Sequence, residues 1–443
     1  MKKRIARLLK WLGLALLTVL IGLIGWRLLY GRGYFTSRQL PERVELTYAE
    51  AMADGVITHE ELAVHYAPEI NAAVNVLLSG AGRGDFLAAV DYDGDWITLN
   101  NWENLNHHPL EAVVYYSVQE TESHWFVGYY FYHPRDDAEI WLDRHENDME
   151  GVMLAIPRDA AAFLPPQVMY TQAHGLVPFC LNEQAANLSV MAGNRDGGVI
   201  LLDGDRPVVY ITPNGTLDSA GHSVESAAGH TIYWSVGNSG VRYYHGGTAM
   251  EPASFNGAYE KNRCSYALRP LKELWARRGG PFGDESIFGQ FGAFRGDNWG
   301  ADKANPPWGW RNKTAYGFGG AFLSDPAWTI THAVAGTAFD AAYTDNAFGP
   351  WRITVKQAVI PGAEEADGYT LHLFRDGWEF SDPAWFTLTK GAGSTFDVTL
   401  AGGRQTLYAA LPAGGAWRME VRNAQGAVVP GASVAFTAEY ATE

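Results

Sequence analysis

From Phe86 onward the apolar residues recur in short runs of aromatic and β-branched side chains, each bounded by turn residues, and this texture confines most of the chain to sheet. Phe86–Tyr92, Val113–Val118 and Trp125–Tyr132 are the first such runs. Gly151–Ile156 follows directly after an acidic segment, and Val208–Thr212 comes later. Aromatics make up 13% of the 443 residues, with 49 Gly and 16 Trp. That composition suits twisted strands joined by tight turns better than helical bundles. The most regular block is C-terminal. Ile353–Val359, Tyr369–Arg375, Trp385–Thr389, Thr395–Leu400, Gln405–Leu411, Trp417–Arg422 and Ser433–Tyr440 alternate at strand period, with Gly, Ala and Asp turns between them. Seven strands in about 95 residues predict a β-sandwich beginning near Phe348. Its only histidine, His372, and its adjacent acids Glu364 and Glu365 form no catalytic pattern, so this block is expected to be an accessory packing domain.

The N-terminus differs. Lys2, Lys3, Arg4, Arg7 and Lys10 precede an apolar run from Trp11 to Trp26 that continues after Arg27 as Leu28-Leu29-Tyr30. With Arg27 snorkelling, that gives about 20 residues, enough to span a bilayer as a helix. The basic flank predicts a cytoplasmic N-terminus, and Arg27, Tyr30, Arg32 and Tyr34 leave no small-residue cleavage site. The expected arrangement is a single-pass membrane protein with its bulk periplasmic or extracellular; a cleaved signal peptide is the alternative, and it exports the same residues. A helix is predicted over Tyr48–His65, with Thr47 as N-cap and Glu50 three residues on. Leu268–Arg278 is predicted as a second helix, closed by Gly279-Gly280. Residues 281–326, rich in Gly, Trp, Phe and Pro, are expected to be an ordered irregular loop.

The expected fold is therefore mainly β. Residues 1–32 form a tail and transmembrane anchor, and 33–65 a juxtamembrane linker and helix. Residues 66–347 form a β-sandwich core with peripheral helices, and 348–443 the second sandwich. Seven of the 33 Lys+Arg and none of the 49 Asp+Glu lie in residues 1–32, so the remainder holds 26 basic against 49 acidic side chains, a net of −23. No basic stripe is present, which excludes a nucleic-acid partner. Cys180 and Cys264 are the only cysteines, and one disulfide or two buried thiols are both compatible with export. Two acidic turns fall short of a calcium loop. Met52 stands where the Glu50–Glu61 segment needs an oxygen ligand, and Gly94 comes too early in Asp91–Asp95.

The chemistry concentrates in His145-Glu146-Asn147-Asp148-Met149-Glu150, with Asp136 and Asp137 upstream and His174 downstream. One imidazole with several carboxylates is the inventory of a divalent-metal site or of an acid/base site. On a strand, positions 148 and 150 share a face and 145 does not. The motif is therefore expected to start in a loop and enter a strand at Asp148, with His145 reaching over. Like charges this close raise each other's pKa unless a cation neutralises them. The hard donor set favours Mg²⁺ or Ca²⁺, with Mn²⁺ also suited, over Zn²⁺. The competing reading is a solvated acidic turn in which His145 is a structural hydrogen-bonder. His107, His108, His230 and His245 are read as loop or turn residues, and His222 as structural.

These residues resemble a known family. The 145–150 run looks like the H-R-H-D-W-E core of the necrosis- and ethylene-inducing peptide-like proteins, secreted cytolysins, and the H-x-x-D-W-E segment of their vacuolar protein sorting-associated relatives. Tyr129-Tyr130-Phe131-Tyr132-His133-Pro134-Arg135-Asp136 is similar to the family's aromatic strand ending in Pro-Lys-Asp, and His174-Gly175 to its later His-Gly. Arg206-Pro207-Val208-Val209-Tyr210 resembles a strand of the vacuolar relatives. The resemblance covers roughly residues 62–230, more weakly to 330. It implies a β-sandwich with a divalent cation at one end. Asp136 or Asp137, His145, Asp148 and Glu150 would be ligands, with His174 nearby. Asn147, Met149 and Arg144 replace the family's second His, Trp and leading Gly, and Asn214-Gly215-Thr216 follows the Val-Val-Tyr strand before His222.

Three functions fit. The first is an anchored binding protein that uses its cation to hold a glycan or a lipid head group. The second is a metal-dependent hydrolase of phosphoester or glycosidic bonds with His145 and His174 as base and acid. The third is a structural envelope protein whose metal ties loops together. The chain has no G-x-S-x-G, P-loop, H-E-x-x-H or C-x-x-C.

Overall fold

A computed structural model describes residues 10–22, 39–75, 80–137, 144–172, 179–181, 189–190, 195–214, 224–225, 239–255, 257–278, 287–288, 293–298, 303–310, 321–335, 339, 342–400, 403–411 and 413–441. Helix α1 covers residues 10–22, and its Trp11, Leu12, Leu14, Leu16, Leu17, Val19, Leu20 and Ile21 are all exposed. Among the described residues no helix is long and apolar enough to cross a membrane. The expected span of residues 11–30 runs past α1 into residues outside those described.

The predicted helix over Tyr48–His65 is two short helices, α2 (Tyr48–Ala51) and α3 (His59–His65). Each opens on a complete capping box, Thr47 with Glu50 and Thr58 with Glu61. A second N-cap inside the run, together with Gly55 at φ +93°, ends the first helix and starts the second. The segment ahead of α2 is strapped to the body. Tyr244 donates to the Pro41 carbonyl at 2.8 Å, and the Val44 N–H donates to the His245 carbonyl at 2.9 Å. Arg206 donates to the Val44 carbonyl and pairs with Glu45, and Arg43 pairs with Glu69 and Asp203.

Among the described residues, thirteen strands form one sheet. They are β1 (Glu69–Ala73), β2 (Val113–Thr121), β3 (His124–Asp136), β4 (His145–Pro157), β5 (Val168–Thr171), β6 (Phe179–Leu181), β8 (Arg195–Val199), β9 (Leu202–Asp203), β10 (Arg206–Ile211), β11 (Val224–Glu225), β12 (Gly240–His245), β13 (Arg263–Pro270) and β15 (Tyr343–Asp345). The order is β11-β10-β1-β12-β13-β2-β3-β4-β5-β6-β8, with β15 on β2 and β9 on β10, while β7 (Ser189–Val190) pairs separately with β14 (Val334–Ala335). β12, β13 and β2 run in one direction, and β1 and β3 run against them. β10 follows β1, and β4 opposes β3. The C-terminal ends of β1, β3 and β10 therefore meet the N-terminal end of β4 at one edge of the sheet. The strap lies at the other edge, against the end of β12 and the starts of β1 and β10. β3 and β4 are buried almost throughout on both faces. That explains their near-continuous apolar run: irregular segments and short helices cover both sides.

Two predicted elements differ. Phe86–Tyr92 is buried but forms no strand: it follows the 3-10 turn Gly80–Asp85, and its Ala88 N–H donates to the Tyr132 carbonyl. Leu268–Arg278 is divided. Leu268–Pro270 pairs with Val114–Tyr116 as the end of β13, and only α5 (Lys272–Trp275) is helical, because Pro270 lacks the N–H that a helix interior needs.

The C-terminal pattern holds closely. β16 (Trp351–Val359), β19 (Thr387–Lys390), β20 (Thr395–Thr399), β21 (Thr406–Ala409) and β23 (Ser433–Tyr440) make a five-stranded sheet, and β17 (Tyr369–Arg375), β18 (Trp378–Glu379) and β22 (Trp417–Asn423) a three-stranded one. Ile353, Val355, Phe396 and Val398 from the first share a core with Leu371, Leu373 and Val421 from the second. Trp328 joins them from α7 (Pro326–Ala333), which follows α6 (Ala321–Ser324). His372 on β17 bonds Thr370 at 2.9 Å and Glu379.

Candidate functional site at the head of strands β3 and β4

Asp136 ends β3 and His145 begins β4, directly opposite each other in register. His145 is thus a strand residue, not a loop residue. By strict alternation it should face away from Asp148. Asn147 removes that constraint. It holds φ +58°, a left-handed conformation that Asn tolerates better than most residues. The turn it makes brings His145, Asp148 and Asp136 into one field. His145 Nε2 lies 3.3 Å from Asp136 Oδ2, and Nδ1 lies 2.8 Å from the Asn147 carbonyl oxygen. That carbonyl can only accept, so Nδ1 carries a proton and Nε2 faces the carboxylate. Burial works to lower the pKa of His145, but the hydrogen bond to Asp136 and the charges of Asp136 and Asp148 outweigh it and hold it above the ordinary value.

Asp136, Asp148 and Glu150 are all buried beside His145. Asp148 Oδ1 accepts from the Met149 N–H, while Glu150 Oε2 is buried with no hydrogen-bond partner. Burial, and then the charges of Asp148 and Asp136, push the Glu150 carboxyl well above the usual carboxylate range. Asp137 is drawn elsewhere, because successive strand residues face opposite ways. It pairs with Arg135 at 2.6 Å and Arg144 at 2.9 Å, and burial still outweighs both cations in raising its pKa. Its N–H donates to the Asn214 side chain, and the Asn214 N–H donates to Asp85, whose other oxygen accepts from the Asn75 N–H. His174, His222 and His230 lie outside the described residues.

Of the expected metal set, Asp136, His145, Asp148 and Glu150 are buried together, Asp137 faces away, and His174 lies outside the described residues. Among the described residues, no three His, Cys, Asp or Glu side chains are gathered tightly enough to hold a metal ion. Asp137 is taken by two arginines. The chemistry of the remaining four residues still fits a hard cation: an imidazole nitrogen, three carboxylates and one buried orphan oxygen. The 3.3 Å between His145 and Asp136 is close to the roughly 3 Å between neighbouring ligands on a small divalent ion.

Two residues of the motif have roles that the spacing did not reveal. Asn147 Nδ2 donates to the carbonyls of Thr98 and Arg295, and Oδ1 accepts from Tyr132 and Asn101. Glu146 accepts the N–H groups of Trp102 and Asp297, and its carboxyl is pushed up to about 7 by burial. Together they pin loops 95–104 and 293–298 to the head of the site. Arg135 stacks on Trp102 at 3.6 Å at the same place. An Asn where strand residues should alternate was the available signal. Elsewhere, Cys264 is buried with its thiol on the Met250 carbonyl, and the Cys180 side chain lies outside those described.

No family model matches the chain, and no curated protein matches it. Several solved structures resemble it over about half its length. "Toxin fold for microbial attack and plant defense" is 12% identical, covering 53% of this chain and 86% of that one, with a TM-score of 0.26. "NLPPya in complex with mannosamine" is 14% identical over 53% and 86%, with a TM-score of 0.26. "Crystal structure of non-toxic HaNLP3 protein" is 13% identical over 56% and 87%, with a TM-score of 0.27. These are distant likenesses to a toxin fold of the necrosis- and ethylene-inducing proteins.

Proposed function

We propose that the chain is an anchored, extracytoplasmic binding protein whose β3–β4 head takes a Mg²⁺ or Ca²⁺ ion, with Mn²⁺ also suited, and holds a glycan or lipid head group over it. The observation that carries this reading is the buried group of three carboxylates, Asp136, Asp148 and Glu150, with one imidazolium among them and Glu150 Oε2 unpartnered. Buried like charges are unfavourable without a counter-ion, and a divalent cation supplies one. Asp136, Asp148 and Glu150 would provide hard oxygen donors, and His145 would lose its proton to offer Nε2. Vicinal hydroxyls or a phosphate could complete the ion's shell at the exposed side. The anchor reading rests on the basic flank ahead of α1 and on the exposure of every large apolar side chain along it.

The test is thermal unfolding of the full chain in chelator and in millimolar Ca²⁺ or Mg²⁺, followed by binding to a glycan and lipid array. A cation-dependent rise in Tm is expected in wild type and absent in Glu150→Gln. In chelator, Glu150→Gln should be at least as stable as wild type, since it removes a buried carboxyl whose ionisation burial and the charges of Asp148 and Asp136 oppose. A wild type indifferent to both ions, or a Glu150→Gln variant that keeps the response, would remove the cation from this reading. Binding that ignores both ions would do the same.

A further inference from the structure

The two poles of the large sheet are chemically unlike, and the chain's own N-terminal segment selects one of them. At the head pole lie Asp136, His145 and the loops pinned by Glu146 and Asn147. The Asn75–Asp85–Asn214 cluster, at the C-terminal ends of β1 and β10, caps the same pole. At the opposite pole residues 41–46 are fixed by several contacts from different elements. Pro41 receives the Tyr244 hydroxyl, Val44 bonds the last residue of β12, and Arg43 reaches Glu69 at the first residue of β1. Arg206, the first residue of β10, holds Val44 and Glu45, and His65 of α3 bonds the Leu46 carbonyl at 2.7 Å. The strand residues among these lie at strand beginnings or ends on the side away from Asp136.

From this we infer that the head of β3–β4 faces away from the bilayer that holds the N-terminal segment. It would therefore address a polyhydroxylated ligand presented from outside that bilayer, on an opposing surface or in solution. The inference rests on the anchor and the binding reading proposed above. The length of chain supports it. Between the end of the apolar run at Tyr30 and the first strap contact at Pro41 there are ten residues, which reach at most about 36 Å when fully extended. From Glu69 to Asn75, strap pole to head pole, the strand alone covers about 20 Å. Turning the head toward the membrane would require those ten residues to spend more than half of their full reach crossing the length of the sheet before they arrive at the strap. With the strap pole toward the bilayer, no such extension is required of the chain. A head group in the anchoring membrane is thereby disfavoured as the ligand, and an external glycan favoured.

The full chain is tested with a thiol fluorophore at Glu42→Cys, exposed on the strap, or at Glu103→Cys, exposed beside the head loops. Wild type, with Cys180 and Cys264, sets the labelling background. Each protein is reconstituted in phosphatidylcholine–phosphatidylglycerol vesicles containing head-group nitroxide lipid and floated on a density gradient. The chain should float, and the label at 42 should be quenched several-fold more than the label at 103. Equal quenching, or stronger quenching at 103, overturns the orientation. A chain that fails to float removes the anchor and the inference with it. In a second arm, vesicles carrying glucosyl-diacylglycerol are supplied, with calcium, either as a separate population or mixed into the anchoring membrane. Clustering with the separate population only is expected, and engagement only within one membrane overturns the inference. No engagement in either counts against the ligand class, while quenching still decides the orientation.

Discussion

Asn147 shows how much one residue decides at this site. Its left-handed φ brings His145 round to Asp148, and its side chain makes four buried hydrogen bonds to three separate segments. Asn147→Ala should cost on the order of 2–4 kcal/mol, combining αL strain with orphaned buried partners. Asn147→Gly, which tolerates the φ, should recover only the strain portion. Urea unfolding of both decides this, and an Ala variant within about 0.5 kcal/mol of wild type would sink the assignment. His245 makes a second residue-scale case. Burial lowers its pKa to about 4, the Tyr266 backbone bond opposes this, and the Arg206 charge adds to it. A histidine with a depressed folded pKa is neutral when folded, and the unfolded chain binds the extra proton first. The folded state therefore loses stability as pH falls from about 6.5 to about 4, by about 3 kcal/mol at most, and regains it above that window. His245→Gln removes this loss, so the stability difference from wild type should shift in the variant's favour by up to about 3 kcal/mol as pH falls from about 6.5 to about 4. A difference that stays constant with pH would refute it.

At the scale of elements, Asp325 joins the two cores. It sits at the start of α7, where its carboxylate accepts from the Trp328 N–H, Tyr343 and the Tyr408 N–H and meets Arg404 with both oxygens at 3.0 Å. α7 places Trp328 in the C-terminal core and Ile330 in the larger one. Removing one partner of a buried ion pair leaves an uncompensated charge, so Asp325→Ala should cost about 3–5 kcal/mol. It should also split a single calorimetric transition into two, as the sandwich loses its coupling to the large sheet. A variant that still melts in one transition at the wild-type temperature would show that the pair does not couple them. The strands of this region were legible because their period, turns and lengths agree. Tyr369–Arg375 and Ser433–Tyr440 appear with the predicted bounds. Phe86–Tyr92 was misjudged because burial makes an irregular segment as apolar as a strand. The end of β13 was misjudged because a short pairing with β2 outweighs helix propensity.

For the whole molecule the sequence by itself determined a mainly β chain, the C-terminal sandwich, the cap of Thr47 with Glu50, and a carboxylate pair at 148 and 150 on one face. These follow from local rules of alternation, turn chemistry and capping, each contained within a few residues. Tertiary structure decided the rest. It merged the strands of the first unit into one sheet covered on both faces, because loops distant in sequence supply the cover. It set Asp136 opposite His145 and turned Asp137 to the arginines at 135 and 144 on the other face. It placed the strap at one pole and the acidic head at the other, because strand direction across the sheet depends on pairings between residues as far apart in sequence as Ile70 and Tyr243. Spacing in the sequence records which groups are neighbours along the chain. Only the register of the sheet sets which buried charges must share one space.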